Sequence, residues 1–128
     1  MTDALFDTTV FIDAYNRHGG AEALVRRVVR GSLTASYSPM TVFELWIRPM
    51  QRQEEMRHRA LLALLEESYF DSDSARLMAA WLQVAPVSRS QRLTGDAIIA
   101  ATAAARGEVI YTRNVADFVR LYPNVRSY

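Results

Sequence analysis

Acidic residues stand inside the most apolar segments of this chain, and this placement limits the ways in which it can fold. Asp7 follows Ala-Leu-Phe and precedes Thr-Thr-Val-Phe-Ile, Glu44 lies within Thr-Val-Phe-Glu-Leu-Trp-Ile, and Asp96 begins Asp-Ala-Ile-Ile-Ala-Ala. Burial of an unpaired charge costs several kcal/mol, so a fold that buries these segments must give each carboxylate a partner. A divalent cation held by converging carboxylates is one such partner.

Short strand-like segments alternate with helical patterns along the chain. We expect strands at residues 3–7, 33–37, 108–112 and 124–127, and a short edge strand at 69–70. The expected helices span residues 8–16, 21–30, 39–48, 52–67, 73–84, 96–106 and 115–121, with a polar loop at 86–95. The alternation predicts the α/β fold class, as a single three-layer domain over residues 1–128 with a parallel sheet of about four to five strands flanked by helices.

The predicted elements bring the unusual acids to one edge of this sheet. Asp7 ends the first strand, Thr112 ends the fourth, and Asp96 begins the helix that leads into the fourth strand. In open parallel sheets, active groups gather at the carboxyl ends of strands, where the strand order changes. We therefore expect the functional site at this edge.

Each acid also has an interpretation that requires no metal. Asp7 and Asp96 both stand where a helix N-cap is expected, since Asp favours that position. Glu44 has an arginine four residues later, Arg48, with which it would pair on a helix. Asp117 by itself suits a surface turn. Taken together, however, carboxylates that converge on one cleft repel each other and recruit cations, so the set favours a metal site.

Composition excludes several other kinds of site. The chain has 128 residues, a formal net charge of +1 and no cysteine, which excludes disulfides, thiolate zinc clusters and cysteine nucleophiles. All fifteen basic residues are arginine, and the absence of lysine excludes a Walker P-loop and a Schiff base. His18 precedes two glycines and His58 lies on an arginine-rich helix face, so both are expected to be exposed. A serine triad and a zinc site therefore lack the residues they need.

The apolar segments also bear on the cellular compartment. The longest of them, such as residues 97–105, are too short to cross a bilayer. Asp3, Asp7 and Asp13 stand where a signal peptide would be apolar, so we expect a cytoplasmic protein without a membrane partner.

Four segments, taken in order, resemble the four motifs of PIN-domain ribonucleases, and most of all those of the VapC toxins of VapBC toxin–antitoxin pairs. The segments are Leu5-Phe-Asp7-Thr8-Thr-Val-Phe-Ile-Asp13, Thr41-Val-Phe-Glu44-Leu, Gly95-Asp96-Ala-Ile-Ile-Ala-Ala-Thr102 and Tyr111-Thr112-Arg113-Asn114-Val-Ala-Asp117-Phe118. Each motif alone is weakly specific, whereas the ordered set with this spacing is strongly specific.

The resemblance implies an endoribonuclease that depends on Mg²⁺ or Mn²⁺. By the resemblance, Asp7 and Asp96 are the principal metal ligands, and Glu44 is a third acid that holds the metal or its waters. Asp117 is the fourth acid, and Thr112 and Asn114 orient water or phosphate. The same resemblance implies an RNA substrate, a VapB-like antitoxin whose C-terminal segment lies in the cleft, and a homodimer.

The chain departs from the family pattern at two positions. Asn114 stands where many PIN domains carry an acid, which leaves the number of metal ions open. Thr9 replaces the asparagine or serine that is frequent after the first Asp-Thr. Arginines that flank the acid-bearing segments or lie in the polar loop are candidates for phosphate contacts: Arg48, Arg89, Arg92 and Arg113.

Other functions remain open at this point. A PIN nuclease that processes RNA without being a toxin would have nearly the same sequence. A non-catalytic α/β interaction module, with its acids only capping helices, is a further alternative. A phosphohydrolase with an Asp nucleophile is poorly supported, because Thr9 stands where its second acid is needed and no lysine is available for the phosphate.

Overall fold

The computed structural model describes residues 2–84 and 91–128, without the side chains of 91–94. Within these ranges the strands are β1 (Ala4–Phe6), β2 (Ala35–Tyr37), β3 (Glu66–Glu67), β4 (Val109–Tyr111) and β5 (Val125–Arg126). The helices are α1 (Thr8–Tyr15), α2 (Gly19–Val29), α3 (Pro39–Trp46), α4 (Arg52–Ala63), α5 (Ser72–Val84), α6 (Gln91–Arg106) and α7 (Val115–Val119). No helix in the described ranges is both long and apolar enough for a membrane span.

The strands form one parallel sheet in the order β3-β2-β1-β4-β5. Leu5 in the central strand β1 pairs with Ser36 of β2 on one side and with Ile110 of β4 on the other. The chain moves from β1 outward in one direction and later returns to the other side, so the strand order changes between β1 and β4. A crevice at the carboxyl ends of these two strands is where α/β proteins place their sites. The predicted α/β fold class is confirmed.

The core lies on both faces of the sheet. Because side chains alternate along a strand, Phe6 and Leu5 point to opposite faces. Phe6 belongs to a cluster that includes Phe11, Leu24, Leu45 and Leu61. On the other face Leu5 packs with residues of α6, β4 and α7: Ile99, Ala100, Ala103, Ile110 and Phe118. The sheet is thus the middle of three layers, as the alternation of strands and helices predicts.

Two predicted boundaries around the third strand are wrong. Helix α4 ends at Ala63 rather than at residue 67, and the edge strand is Glu66–Glu67 rather than residues 69–70. The two glutamates favour a helix by local propensity. Pairing with β2 overrides that preference, since Ser36 and Tyr37 lie opposite Glu66 and Glu67 and the Ser68 N–H donates to the Tyr37 carbonyl.

The start of α6 also differs from the prediction. Helix α6 begins at Gln91, so the predicted polar loop is wrong for residues 91–95, while 85–90 lie outside the described residues. Asp96 therefore lies inside the helix and is not its N-cap. Gly95, which was placed in the predicted loop, is a buried helical residue that faces α3. A Cβ at Gly95 would lie 3.8 Å from Glu44 Oε2 and 4.0 Å from Met40.

Candidate active site

Asp7 lies directly after the central strand, at the N-cap position of α1. Its side chain nevertheless makes no capping hydrogen bond. Its Oδ2 instead accepts hydrogen bonds from the hydroxyls of Thr9 (3.1 Å) and Thr112 (2.8 Å). The carboxylate is 4% exposed, and this burial raises its pKa above the ordinary value, while the hydrogen bond from Thr112 offsets part of the rise. A simple capping role therefore does not explain Asp7.

Glu44 faces the same crevice from α3. The Thr8 hydroxyl donates to Glu44 Oε1 at 2.7 Å and also contacts Thr41 Oγ1 at 3.1 Å. Partial burial raises the pKa of Glu44, the hydrogen bond from Thr8 lowers it, and the nearby negative charge of Asp7 raises it again. The two carboxylates are therefore close enough to repel each other. Among the described salt bridges, none includes Asp7 or Glu44.

The alternative partner of Glu44 is excluded by the position of Arg48. The Arg48 guanidinium binds Glu54 at 3.0 Å, not Glu44. Arg48 lies beyond the end of α3, so the i,i+4 geometry that brings two helical side chains together does not apply.

Asp96 enters the site through the contact between α6 and α3. It follows Gly95, whose Cα hydrogen faces the Glu44 carboxylate, and it is half-buried. A Cβ at this position would be in ordinary van der Waals contact with α3, so the two helices lie side by side here. Asp96 is thus the next residue along α6 after one that approaches Glu44, and its role as a metal ligand stays a prediction.

The remaining predicted residues come from the segment after β4. Thr112 is fully buried, and its hydroxyl both donates to Asp7 and accepts the Asn114 N–H at 3.0 Å. Asn114 occupies the N-cap position of α7 without a side-chain capping bond. Asp117 lies in the first turn of α7 and is half-buried. The described contacts therefore join Thr112 to Asp7 directly, and place Asn114 and Asp117 in the same segment.

Thr8 and Thr9 belong to the site although the sequence interpretation assigned them no role. Each hydroxyl binds one of the carboxylates, Thr8 that of Glu44 and Thr9 that of Asp7. The sequence signal that could have identified them is the pair of threonines directly after Asp7, before an apolar run. This signal alone does not show which carboxylate each hydroxyl binds, because Glu44 lies on another element.

The donor set fits a hard divalent cation in its chemistry. It offers carboxylate and hydroxyl oxygens, and such ions prefer oxygen ligands and keep several waters, so one or two direct carboxylates suffice. In the described part of the chain, no three Asp, Glu or His side chains are already arranged around a common point for a metal. The four-acid ligand set of Asp7, Glu44, Asp96 and Asp117 therefore stays a prediction.

The histidines and the candidate arginines have the following positions. His58 is buried, not exposed as expected: its ring lies near Phe11, Tyr15 and Trp46, and its Nε2 is 3.0 Å from Glu54. The predicted helix face turned out to pack on α1. His18 is exposed and caps α2, as its position before two glycines allows. Arg89 and the side chain of Arg92 lie outside the described residues.

The chain is similar in structure to several toxin–antitoxin proteins. The Klebsiella pneumoniae toxin–antitoxin complex has 26% identity and a TM-score of 0.74, with 97% of this chain and 96% of that chain covered. VapBC-5 from Mycobacterium tuberculosis has 25% identity, coverage of 99% and 98%, and a TM-score of 0.65. VapBC2 from Rickettsia felis, bound to a promoter DNA fragment, has 19% identity, coverage of 98% and 98%, and a TM-score of 0.77.

Sequence comparison identifies the family. No curated protein matches the chain. The family model of the PIN domain, in contrast, matches residues 4–122, which include Asp7, Glu44, Asp96 and Asp117. With nearly the whole chain matched and the fold in agreement, this protein belongs to the PIN domain family.

Proposed function

We propose that this protein is a metal-dependent endoribonuclease that hydrolyses RNA phosphodiester bonds. The observation that carries the proposal is the pair of carboxylates, Asp7 and Glu44, held in one crevice by hydroxyl donors and without an arginine partner in the described structure. Two like charges this close raise each other's pKa or recruit a cation. Among the described residues no cationic side chain pairs with either carboxylate, which supports a site for Mg²⁺ or Mn²⁺.

In this proposal the ligands are Asp7 and Asp96, with Glu44 and Asp117 holding the metal or its waters. When bound, a divalent ion supplies a water nucleophile at neutral pH and neutralises the leaving oxygen. Thr8 orients Glu44, and Thr112 orients Asp7, so the carboxylates need little rearrangement. Asn114 is placed by its N–H bond to Thr112 to orient water or phosphate with its side-chain amide.

We further propose that the nuclease is the toxin of a toxin–antitoxin pair. The similarity to the Klebsiella pneumoniae and Mycobacterium tuberculosis proteins over nearly the whole of each chain supports this. The proposal includes residues 1–128 as one PIN-like domain, a VapB-like antitoxin partner, a homodimer and a cytoplasmic location.

Incubation of the purified protein with total cellular RNA tests the nuclease. The reaction is run in Mg²⁺, in Mn²⁺ and in EDTA, beside the Asp7→Asn and Asp96→Asn variants, and the new RNA ends are mapped. Asn at position 7 keeps the size of the side chain and one carbonyl acceptor for the threonine hydroxyls, while it removes the charge and replaces the other oxygen with an NH₂ group. Discrete cuts that require metal and both carboxylates are the expected result.

A matched control separates site chemistry from loss of charge. Asp73 is an exposed acid at the start of α5 that pairs with Arg76 at the surface. The Asp73→Asn variant should cut like the wild type. Cleavage that survives in both Asp7→Asn and Asp96→Asn would remove the nuclease assignment to this crevice.

The toxin component needs a test in cells. Expression of the wild type should arrest growth, and coexpression of the product of a neighbouring open reading frame should relieve the arrest. Metal-dependent cleavage in vitro without growth arrest would instead indicate a PIN nuclease that processes RNA.

A further inference from the structure

The segment that follows β4 controls which way two hydroxyls point. The Arg113 N–H donates to Thr9 Oγ1 and the Asn114 N–H donates to Thr112 Oγ1, both at 3.0 Å. Each hydroxyl oxygen thus accepts a backbone N–H, and its own hydrogen is directed elsewhere. Both hydroxyls donate to the same atom, Oδ2 of Asp7. In the described structure, both side-chain hydrogen bonds to the Asp7 carboxylate therefore go to Oδ2.

The position of this segment depends in turn on Asp13. Asp13 lies one turn after Thr9 on α1, and its side chain is 5% exposed. Its Oδ1 accepts from Arg113 Nη1 at 2.6 Å, and its Oδ2 accepts from the Tyr128 hydroxyl at 2.6 Å. Short bonds to an ionised carboxylate are among the strongest in proteins. Asp13 therefore anchors the side chain of Arg113 while the Arg113 N–H holds Thr9.

Tyr128 is itself held at a defined place. Its ring meets the ring of His18 edge-on, with centroids 5.5 Å apart. A Cβ at Gly20 would lie 2.5 Å from the Tyr128 carbonyl carbon, so only glycine allows the backbone to come this close. The His18 N–H also donates to the Asp13 carbonyl at 2.8 Å. The start of α2, the end of α1 and Tyr128 thus form one packed unit.

We propose that Asp13, Arg113 and Tyr128 form a positioning latch, which holds residues 112–114 so that Thr9 and Thr112 both donate to Oδ2 of Asp7 and fix the orientation of its carboxylate toward a metal ion. None of the three is a catalytic residue in this scheme, because they act through the two threonines. The reference to a metal rests on the proposed function, whereas the hold on residues 112–114 does not.

The Tyr128 hydroxyl is a hydrogen-bond donor to Asp13 that stays protonated at neutral pH. Burial and the hydrogen bond to Asp13 raise the pKa of its phenol above its ordinary value. The hydroxyl therefore keeps its hydrogen, and keeps donating to Asp13, throughout the neutral pH range.

Amide hydrogen exchange tests the hold on residues 112–114 without any metal. The variants are Tyr128→Phe and Asp13→Asn, and the readout is the exchange of the Arg113 and Asn114 amides in EDTA, followed by NMR. With one strong bond lost, local opening should become about three- to tenfold faster at these two amides. The control is Tyr122→Phe, which removes a hydroxyl bonded to the Glu108 carbonyl at 2.9 Å and should leave both amides unchanged.

Manganese binding tests the consequence for the site. Titration calorimetry with Mn²⁺ should show affinity about tenfold weaker in Asp13→Asn and about threefold weaker in Tyr128→Phe, because partners behind the first ligands tune metal affinity. Arg113→Lys should retain more affinity than Arg113→Ala, and Tyr122→Phe should bind like the wild type.

The two measurements separate the possible failures. If the two amides exchange at wild-type rates in both Asp13→Asn and Tyr128→Phe, the latch is overturned, whatever the metal does. If the wild type binds no Mn²⁺, or Asp7→Asn binds it equally well, the proposed metal function fails while the exchange result still decides the latch. Faster exchange with unchanged Mn²⁺ affinity overturns the link between the latch and Asp7.

Discussion

Asp7 and Glu108 are both buried carboxylates, and they lie at opposite edges of the same sheet. Asp7 follows β1, at the carboxyl edge, whereas Glu108 precedes the parallel strand β4, at the amino edge. Burial raises the pKa of both side chains above the ordinary values. Each carboxylate therefore carries a desolvation cost, and the two sites can be compared by how that cost is met.

The protein itself meets the cost at Glu108. Its Oε2 accepts from the Ser36 hydroxyl at 2.6 Å and from the Thr2 hydroxyl, and its Oε1 lies 3.2 Å from Arg106 Nε. This last contact is an ion pair whose geometry falls short of a hydrogen bond. The charge of Glu108 is thus balanced by one arginine, and two hydroxyls from other segments of the chain donate to its carboxylate. These contacts join three segments of the fold, which indicates a structural role for Glu108.

At Asp7 the neighbour of the carboxylate is another carboxylate. Hydroxyls from Thr9 and Thr112 satisfy one oxygen, and Glu44 adds negative charge instead of removing it. The comparison shows that burial of an acid says little by itself about function. The distinguishing feature is whether the protein supplies the compensating charge, as at Glu108, or leaves it to a ligand, as we propose for Asp7.

The largest effect is expected from removal of the charge at Asp7. If Asp7 is a direct metal ligand, as we propose, Asp7→Asn should lower RNA cleavage by at least about 100-fold, because even residues that only support the ligands change metal affinity or activity by about tenfold or more. Single-turnover cleavage at saturating Mg²⁺ measures this. The Glu108→Gln variant, assayed per folded molecule, should cut at the wild-type rate. If Asp7→Asn and Glu108→Gln lost RNA cleavage activity equally, the proposed difference in function between the two sites would be wrong.

The second largest effect is a loss of stability on removal of the positive charge beside Glu108, at the amino edge of the sheet. Arg106→Met keeps the apolar stem and removes the charge that faces Glu108, so the buried acid loses its cation. We expect the free energy of unfolding to fall by about 2 to 4 kcal/mol, somewhat below the cost of breaking a fully buried pair because Arg106 is one-third exposed. Urea unfolding in EDTA measures it. An unchanged midpoint would show that the hydroxyls alone suffice for Glu108.

A matched pair of threonine variants gives a smaller effect and sharpens the comparison. Thr8→Val removes the hydroxyl from Glu44, and Thr2→Val removes one from Glu108. Each loses the hydrogen bond to its carboxylate, and Thr8→Val also loses the contact with Thr41. Each should lower stability by about 1 kcal/mol. Only Thr8→Val should also weaken Mn²⁺ affinity, by about tenfold. If both variants bound Mn²⁺ with the affinity of the wild type, the proposal that Glu44 but not Glu108 takes part in metal binding would be contradicted.

The smallest effect concerns the pH dependence of stability without metal. Because the folded-state pKa of Asp7 is raised above its unfolded value, the folded protein holds the proton more tightly, and stability falls as pH rises from the unfolded pKa, near 3.8, through the folded pKa. Asp7→Asn has no carboxyl group at this position, so its stability does not show this decrease with rising pH. In EDTA it should exceed the wild type in stability by about 1 kcal/mol at pH 7, and the difference should shrink as the pH falls below the folded pKa.

Urea midpoints of both proteins between pH 4 and pH 7 measure this difference. Saturating Mn²⁺ should reverse it at pH 7, because the ion stabilises only a folded protein that binds it. If Asp7→Asn were less stable than the wild type in EDTA at neutral pH, the carboxylate would be contributing to the fold as Glu108 does.

Local sequence patterns predicted most of the fold, because helix and strand formation depends largely on the apolar periodicity and turn residues within each segment. Alternating apolar and turn residues gave the helices and most of the strands of the parallel sheet, and Ser38-Pro39 gave the start of α3. The errors lie where a partner distant in sequence overrides local preference. Two glutamates form the edge strand β3 because β2 is beside them, and Gly95 continues a helix because it packs against α3.

The sequence by itself determined that acids interrupt apolar segments, and hence that buried carboxylates and a site at the carboxyl edge were to be expected. It could not say how each charge is compensated. Glu108 gave no sign of burial, since its partners Thr2 and Ser36 lie 106 and 72 residues away. Likewise only the tertiary structure pairs Arg113 with Asp13, 100 residues apart, and Arg48 with Glu54 instead of Glu44. Charge compensation acts over a few ångströms in space, and the folded chain alone decides which residues are that close.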